Sequence, residues 1–135
     1  MTTQNPSPSW SLLLARAAGT LSLLLGAVVL LGWYLREPAL IQVNPAFVPM
    51  QYNTALGFGL GGLALLAASG ACARMAWVTG SVVLLTGGLT LIEYMFAVDL
   101  HIDQLFMEHY IDLQTSNPGR MAPNTALCFS LTGLT

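Results

Sequence analysis

Apolar residues are gathered into long stretches separated by short polar segments. The clearest stretch covers residues 17–35 and holds no charged residue, and two more cover 53–73 and 75–98. Each is close to the ~20 residues that a helix needs to cross a hydrocarbon core of about 30 Å. A fourth stretch, 123–135, has only 13 residues, so we expect the chain to be truncated within or just after a fourth spanning helix. The pattern predicts an all-α integral membrane protein with four transmembrane helices.

Composition agrees with this prediction. Only 7% of the residues are charged and 55% are apolar, with a mean hydropathy of +0.67, whereas soluble domains carry about 25% charged residues. The four arginines are scattered singly and the net charge is −2, which argues against a nucleic-acid-binding surface, because such surfaces cluster basic residues. We therefore expect a lipid bilayer as the partner and no nucleic acid.

The charged residues also predict the topology. Arg16 precedes the first stretch and Arg74 lies between the second and third, and basic residues favour the cytoplasmic side. Segments 36–52 and 99–122 carry five of the six acidic residues. We expect these two loops to be periplasmic or extracellular, and the N-terminus to be cytoplasmic.

The chain repeats itself. MQYNTALGFGLGGL, from residue 50, matches MAPNTALCFSLTGL, from residue 121, at an offset of 71, and GAVVLL at 26–31 matches GSVVLL at 80–85 at an offset of 54. We interpret residues 1–135 as one domain of two tandem, parallel-repeat helical hairpins, about 12–73 and about 75–135. The two offsets give the second hairpin about 17 extra residues in its loop.

The Asn-Thr pair shared by the two copies has two interpretations. The pairs are Asn53 with Thr54 and Asn124 with Thr125. Because Asn is a preferred helix N-cap, the two asparagines are predicted to cap the returning helices. Alternatively, the two helix N-termini face a shared cavity and bind an anionic or carbonyl-bearing ligand.

Three further residues are candidates for a ligand site. Glu93 lies inside an apolar stretch, where an ionisable side chain costs several kcal/mol and normally faces a partner or a cavity. Its neighbour Tyr94 is a hydrogen-bond donor for a ligand. Arg120 is the cation adjacent to the acidic loop, and it is expected to hold a loop carboxylate or an anionic group. The structural alternative is that Glu93 simply pairs with Arg120 or reaches water.

The second loop contains an amphipathic pattern. Apolar residues recur at helical spacing across residues 99–113, which predicts a helix lying on the membrane surface or covering the bundle. His101, Asp103 and His109 offer a weak metal site, but the two histidines are eight residues apart, about 80° out of alignment on a helix. We therefore predict no metal. A pH-sensing role for the histidines and a solvated acidic face stay open.

Two segments, LTLIEYMFAVDLHIDQLFM and NPGRMAPNTALCF, carry a resemblance to a known family. They resemble a membrane-embedded sensor region at the amino terminus of bacterial hybrid histidine kinases and diguanylate cyclases, and the resemblance covers roughly residues 20–135. It implies a multi-helix input module in the bacterial inner membrane, followed in that family by PAS, kinase or cyclase domains. The present 135 residues contain no such output domain. The family-pattern positions are Glu93, Tyr94, Asp99, Ile102, Asp103, Pro118, Gly119, Arg120, Pro123, Asn124 and Thr125.

Two functions follow as hypotheses. The first is a sensory input module for two-component or cyclic-di-GMP signalling, which binds a small apolar, amphiphilic or redox ligand near the outer face. The second is a small accessory or assembly subunit of a larger membrane complex. The sequence contains no catalytic motif, so we do not expect an enzyme. A quinone or a lipid-like molecule is the candidate ligand, the sequence specifies no cofactor, and a homodimer stays open.

Overall fold

The computed structural model describes residues 9–42, 44, 47–70, 72–108, 110 and 119–134. Within these residues the chain is helical and contains no β-strand. The helices are α1 (Trp10–Leu35), α2 (Pro38–Ile41), α3 (Tyr52–Ser69), α4 (Ala73–Phe96) and α5 (Pro123–Gly133). The all-helical prediction is confirmed.

Two of the helices are long and apolar enough to cross a membrane. They are α1, with 26 residues, and α4, with 24 residues. Large apolar side chains on both helices point away from the protein: Leu14 and Leu21 are 68% exposed, and Leu85 is 60% exposed. Apolar surface of this extent is typical of a helix that faces lipid or another apolar chain.

Glycines set the packing of the helices. Helix α3 packs against both α1 and α4, and α5 packs against α4 and touches α3. A Cβ atom on Gly26 of α1 would lie 2.6 Å from the carbonyl oxygen of Ala55, and a Cβ on Gly87 of α4 would lie 2.6 Å from that of Ala126. The backbones of α1 and α3, and those of α4 and α5, therefore approach so closely that neither glycine position has room for a side chain. Membrane helix pairs with small interfacial residues pack in the same way.

The same contacts recur at the loop end of each helix pair, the end that carries segments 36–52 and 99–122. The Trp33 indole N–H donates to the carbonyl oxygen of Met50 at 2.9 Å, and the Tyr94 hydroxyl donates to that of Met121 at 3.1 Å. Trp33 and Tyr94 are 61 residues apart, and the two methionines are 71 apart. The pairs α1–α3 and α4–α5 therefore share one set of contacts.

This register corrects the predicted one. Matching 26–31 with 80–85 requires an offset of 54, whereas the packed glycines Gly26 and Gly87 are 61 apart. Both first helices also end in a left-handed residue 61 positions apart, Arg36 with φ 54° and Ala97 with φ 51°. The second loop is thus ten residues longer than the first, not 17. The match was misleading because a VVLL run suits any lipid-facing position, while only the glycine spacing is fixed by packing.

The amphipathic helix predicted for 99–113 is wrong for residues 99–108, which form bends and turns. The Asp99 carboxylate accepts the backbone N–H of His101 at 2.9 Å, and His101 has a left-handed φ of 58°. Such local side-chain contacts compete with a helix. His109 and residues 111–113 lie outside the described residues.

The predicted N-caps are also wrong. Helix α3 begins at Tyr52 and α5 at Pro123, so the N-cap positions belong to Gln51 and Ala122, and neither side chain caps the helix. Asn53 and Asn124 lie within the first turns instead. The helices start earlier than expected because Pro123 is well suited to a first helical position and the matching Tyr52 packs into the core.

Candidate functional site

An arginine surrounded by three carboxylates lies at the loop end. The Arg120 Nε donates to Asp103 Oδ2 at 2.6 Å, and its terminal nitrogen lies 3.4 Å from Glu93 Oε1 and 3.6 Å from Asp99 Oδ1. We call these four residues the Arg120 cluster. The prediction that Arg120 holds a loop carboxylate is confirmed, and Glu93 pairs with it as the structural alternative required.

Three elements bring the cluster together. Glu93 lies in the last turn of α4 and is completely buried, and its Oε1 accepts the backbone N–H of Leu100 at 2.9 Å. The loop is fixed from the other side by Asn53 of α3, whose amide donates to the carbonyl oxygen of Asp103 at 3.1 Å. The Arg120 guanidinium lies over the ring of Tyr94, with its carbon 5.5 Å from the ring centre.

A glycine allows the arginine to reach the loop. Gly119 has φ +84°, a backbone conformation that residues with a side chain rarely adopt. A Cβ there would also lie 2.9 Å from Gln104 Cγ and 3.1 Å from the carbonyl oxygen of Asp103. Residues 119 and 103 therefore pack backbone to backbone, and this contact places the guanidinium beside the acids.

The cluster carries more negative than positive charge. Burial lowers the pKa of Arg120, but the hydrogen bond and charge of Asp103, with Glu93 and Asp99, outweigh this effect and raise the pKa above its ordinary value. The guanidinium therefore stays charged. Among the described residues, two buried carboxylate oxygens, Glu93 Oε2 and Asp103 Oδ1, have no hydrogen-bond partner.

The carboxylates also fit the size of a cation site. One oxygen each from Glu93, Asp99 and Asp103 lie within 4.8 Å of one another, and oxygen ligands suit Mg²⁺ or Ca²⁺. The Arg120 guanidinium already lies among these oxygens, so a metal would have to displace it. Of the residues considered for a metal, His101 is exposed and lies 3.7 Å from Asp99, Asp103 binds Arg120, and His109 is outside the described residues.

A cleft of about 690 Å³ opens beside the cluster, between α1 and the start of α5 and next to α3. Its apolar lining includes Leu25, Val29, Phe47 and Val48. Its polar lining is Gln42, Gln51, Thr54, Tyr94, Arg120 and Thr125. The volume lies in the range of small-molecule sites in proteins, which combine apolar walls with a few placed polar groups.

A second hollow of about 290 Å³ lies farther from the loop end. It is lined by Gly57, Gly61 and Gly62 of α3 and by Cys128 and Phe129 of α5, among others. Thr125 lines both the cleft and this hollow, so the two spaces are neighbours at the start of α5.

The predicted site residues divide into two groups. Arg120, Glu93, Tyr94 and Asn53 meet at the Arg120 cluster. Asn124 lines the hollow and Thr125 lines both the hollow and the cleft. The Asn124 side chain accepts the backbone N–H of Thr125 at 2.9 Å.

Sequence reasoning missed Gln51. It is only 6% exposed, and its Oε1 has no hydrogen-bond partner among the described residues. The repeat contained the signal, because the equivalent residue 71 positions later is Ala122. Because an alanine serves at the equivalent position of α5, the start of the helix does not require a polar side chain there.

A scan against protein-family models finds no match to the chain, and searches of curated proteins and of solved structures find none either.

Proposed function

We propose that the chain is a membrane-embedded sensory input module of a bacterial signalling protein with a histidine kinase or diguanylate cyclase output. Its ligand is a small apolar or amphiphilic molecule, a quinone or a lipid-like compound, that binds in the cleft. One observation carries this proposal: a cleft of ligand size is lined by Arg120, the residue that also ties α4 to the loop before α5. A ligand in the cleft therefore contacts a residue that links both helices.

In this proposal the chain forms two tandem transmembrane hairpins, α1 with α3 and α4 with α5. The loop end faces the periplasm and the N-terminus lies in the cytoplasm of a bacterial inner membrane. Two observations support this arrangement. The exposed faces of α1 and α4 are apolar, and Arg16 and Arg74 lie near the ends of the helices that basic residues favour for the cytoplasm. Alkaline phosphatase fused after residue 44 or 108 should be active, and fused after residue 71 inactive. The reverse pattern would reject the topology.

Signalling requires two packing states that the ligand distinguishes. A ligand that contacts Arg120 differently in the two states changes how firmly the guanidinium holds Glu93 on α4 and Asp103 in the loop. Because Arg120 lies three residues before Pro123, the first residue of α5, the change reaches the helix that returns to the cytoplasm. Coupling energies between two such sites are typically about 1–3 kcal/mol, which shifts the balance between the two packing states about 5- to 150-fold.

The reading frame beyond residue 135 tests the proposal most directly. An in-frame kinase or cyclase domain supports it, and phosphorylation or cyclic-di-GMP synthesis by the full-length protein then measures output. Arg120→Gln should change basal output or ligand response severalfold, whereas Arg36→Gln, the same exchange at the exposed end of α1, should not. A stop codon directly after residue 135, with a stable partner on purification, would reject the sensor.

The alternative function is an accessory subunit of a larger membrane complex, and the exposed face of α5 favours it. Leu127, Leu131 and Leu134 are 50%, 57% and 68% exposed, whereas their counterparts on α3, where α4 packs, are partly buried. A partner helix on α5 would complete the pattern. Cross-linking from Leu131→Cys to one defined partner protein, with none from Leu21→Cys on α1, would favour this alternative.

A further inference from the structure

The polar lining of the cleft indicates which head group it accepts. Gln51 is 94% buried at the N-cap position of α3, yet its side chain does not cap the helix and its Oε1 has no partner among the described residues. Gln42 also lines the cleft, and its buried Oε1 likewise has no partner in the part of the chain that the structure describes. A buried acceptor without a donor is costly, so these oxygens call for a hydrogen-bond donor.

Folding does not explain the glutamine. At the equivalent N-cap position of α5 the residue is Ala122, which also lines the cleft. Helix α5 thus begins in the same way with a methyl group in this place. The Gln51 side chain is therefore not needed to cap its helix, and its oxygen is left without a partner among the described residues.

The charges near the cleft disfavour a charged head group. An anion would meet Arg120, but this guanidinium is already compensated by Asp103 at 2.6 Å and Glu93 at 3.4 Å, so it has little attraction left for a further negative charge. A cation would also meet the guanidinium, because Arg120 lines the cleft whereas the three carboxylates of the cluster are not among its lining residues. The apolar walls add a desolvation cost for either charge.

We propose that the cleft binds an uncharged amphiphile whose head group donates a hydrogen bond to Gln51, a hydroxylated aromatic ring being the type, while its apolar tail follows α5 into the second hollow. This inference rests on the proposed ligand-sensing function and specifies the ligand as the hydroxyl form of a ring rather than its carbonyl form. Cys128 lines the hollow and is a free, exposed thiol, and Cys72 is a second free thiol outside the cleft lining. The chain thus contains both a reporter and a reference.

The test compares para-decylphenol with its methyl ether, which has the same shape but no donor. The full chain in lipid nanodiscs is treated with a small maleimide, and the rates of alkylation of Cys128 and Cys72 are measured against ligand concentration. We expect the phenol to protect Cys128 and not Cys72, with an apparent Kd about tenfold below that of the ether, the factor expected for one hydrogen bond. In Gln51→Ala the two ligands should bind equally, at the affinity of the ether for the wild type.

Three results would overturn the inference. Equal protection by phenol and ether in the wild type, or stronger protection by para-decylbenzoate or decylammonium, would show that the head group is not an uncharged donor, and would leave the sensory function standing. No protection by any of these compounds would remove the cleft as an amphiphile site. Failure of the sensory function itself would appear separately, as a reading frame that ends at residue 135 despite protection of Cys128.

Discussion

Replacing Arg120 by glutamine tests whether the Arg120 cluster holds the loop end together. The change removes the positive charge that faces Glu93 and Asp103 while keeping a polar side chain of similar reach. Glu93 is completely buried and the Asp103 side chain is 9% exposed, so neither carboxylate regains much water. We expect both to be left as poorly compensated buried charges.

The magnitude follows from which partners are buried. Removing one partner of a buried ion pair typically costs about 3–5 kcal/mol. The Asp99 side chain is 63% exposed, and exposed pairs contribute only about 0–1 kcal/mol. Since Glu93 keeps the Leu100 N–H as a donor, we place the loss of unfolding free energy for Arg120→Gln near the lower limit, about 3 kcal/mol.

Reversible unfolding by SDS in mixed micelles, followed by far-ultraviolet circular dichroism, measures this loss. Arg36→Gln is the matched control, because Arg36 is exposed and its contact over the Tyr110 ring, 5.8 Å from the ring centre, is worth only about 0.5–1 kcal/mol. In the double variant Arg120→Gln with Glu93→Gln, one orphaned charge disappears. The loss of unfolding free energy in the double variant should therefore be about 1–3 kcal/mol smaller than the sum of the two single losses.

Equal losses for Arg120→Gln and Arg36→Gln would refute this reasoning, since they would mean that the buried carboxylates do not depend on the guanidinium. Strict additivity in the double variant would refute the specific pairing of Arg120 with Glu93.

Three further predictions concern the framework. Gly87→Ala should lower stability by about 1–3 kcal/mol in the same SDS titration, because the added Cβ would lie 2.6 Å from a backbone oxygen of α5. The control Gly88→Ala, whose Cβ would have nothing within 4 Å, should be neutral or raise stability by up to about 1 kcal/mol. Equal effects of the two substitutions would contradict the packing of α4 on α5. Tyr94→Phe should cost about 1 kcal/mol in that titration through loss of one hydrogen bond, and Trp33→Phe should cost more, because the indole is only 2% exposed and also loses buried ring contacts; no loss at one of the two sites would contradict their equivalence. Burial raises the pKa of Tyr110, so the folded protein holds the phenolic proton to a higher pH than the unfolded protein does. The free energy of unfolding should therefore fall as the pH rises above about 10. Ultraviolet titration of the wild type and of Tyr110→Phe measures this tyrosine by difference, and ionisation at the ordinary pKa of tyrosine would contradict the prediction.

The sequence predicted the helices because their physics is local. A run of apolar residues without charge, as in residues 17–35, specifies a helix wherever it lies along the chain, and α1 and α4 cover the first and third predicted stretches. The partnership of Glu93 with Arg120 could also be anticipated, because an acid inside an apolar stretch needs a polar partner and the chain has only four cationic side chains, all of them arginines.

Other features depend on contacts that the sequence does not display. The loop at 99–108 has the periodicity of an amphipathic helix, but the carboxylates of Glu93 and Asp99 accept its backbone N–H groups and Arg120 holds Asp103. These polar contacts replace the hydrogen bonds that a helix would have made. The spacing of apolar residues shows which side chains could form an apolar face, but it does not show which backbone N–H groups are already hydrogen-bonded to carboxylates.

The helix pairs α1–α3 and α4–α5 differ in how their loop ends are closed. At the position of Glu93 the first pair has Gly32, where a Cβ would lie 2.6 Å from the Cβ of Leu40. In that pair, therefore, the loop packs directly on the helix, and its Ile41 is buried at 3% exposure. The position of Arg120 corresponds to Pro49, 71 residues earlier. The first pair thus closes its loop end with apolar contacts where the second uses an ion pair.

A buried ion pair is weak evidence for stability, because apolar residues of similar volume often serve as well or better. The pair α1–α3 demonstrates this, since it closes its loop end without one. Folding alone therefore does not require the charges of the pair α4–α5, and one of these charged residues, Arg120, lines the cleft. Gln51, whose Oε1 has no hydrogen-bond partner among the described residues, lines the same cleft at a position where the start of α5 has Ala122. Polar residues that take the place of apolar counterparts in both helix pairs thus meet at one cleft, which is the arrangement expected if the proposed ligand site was added to a common helix framework.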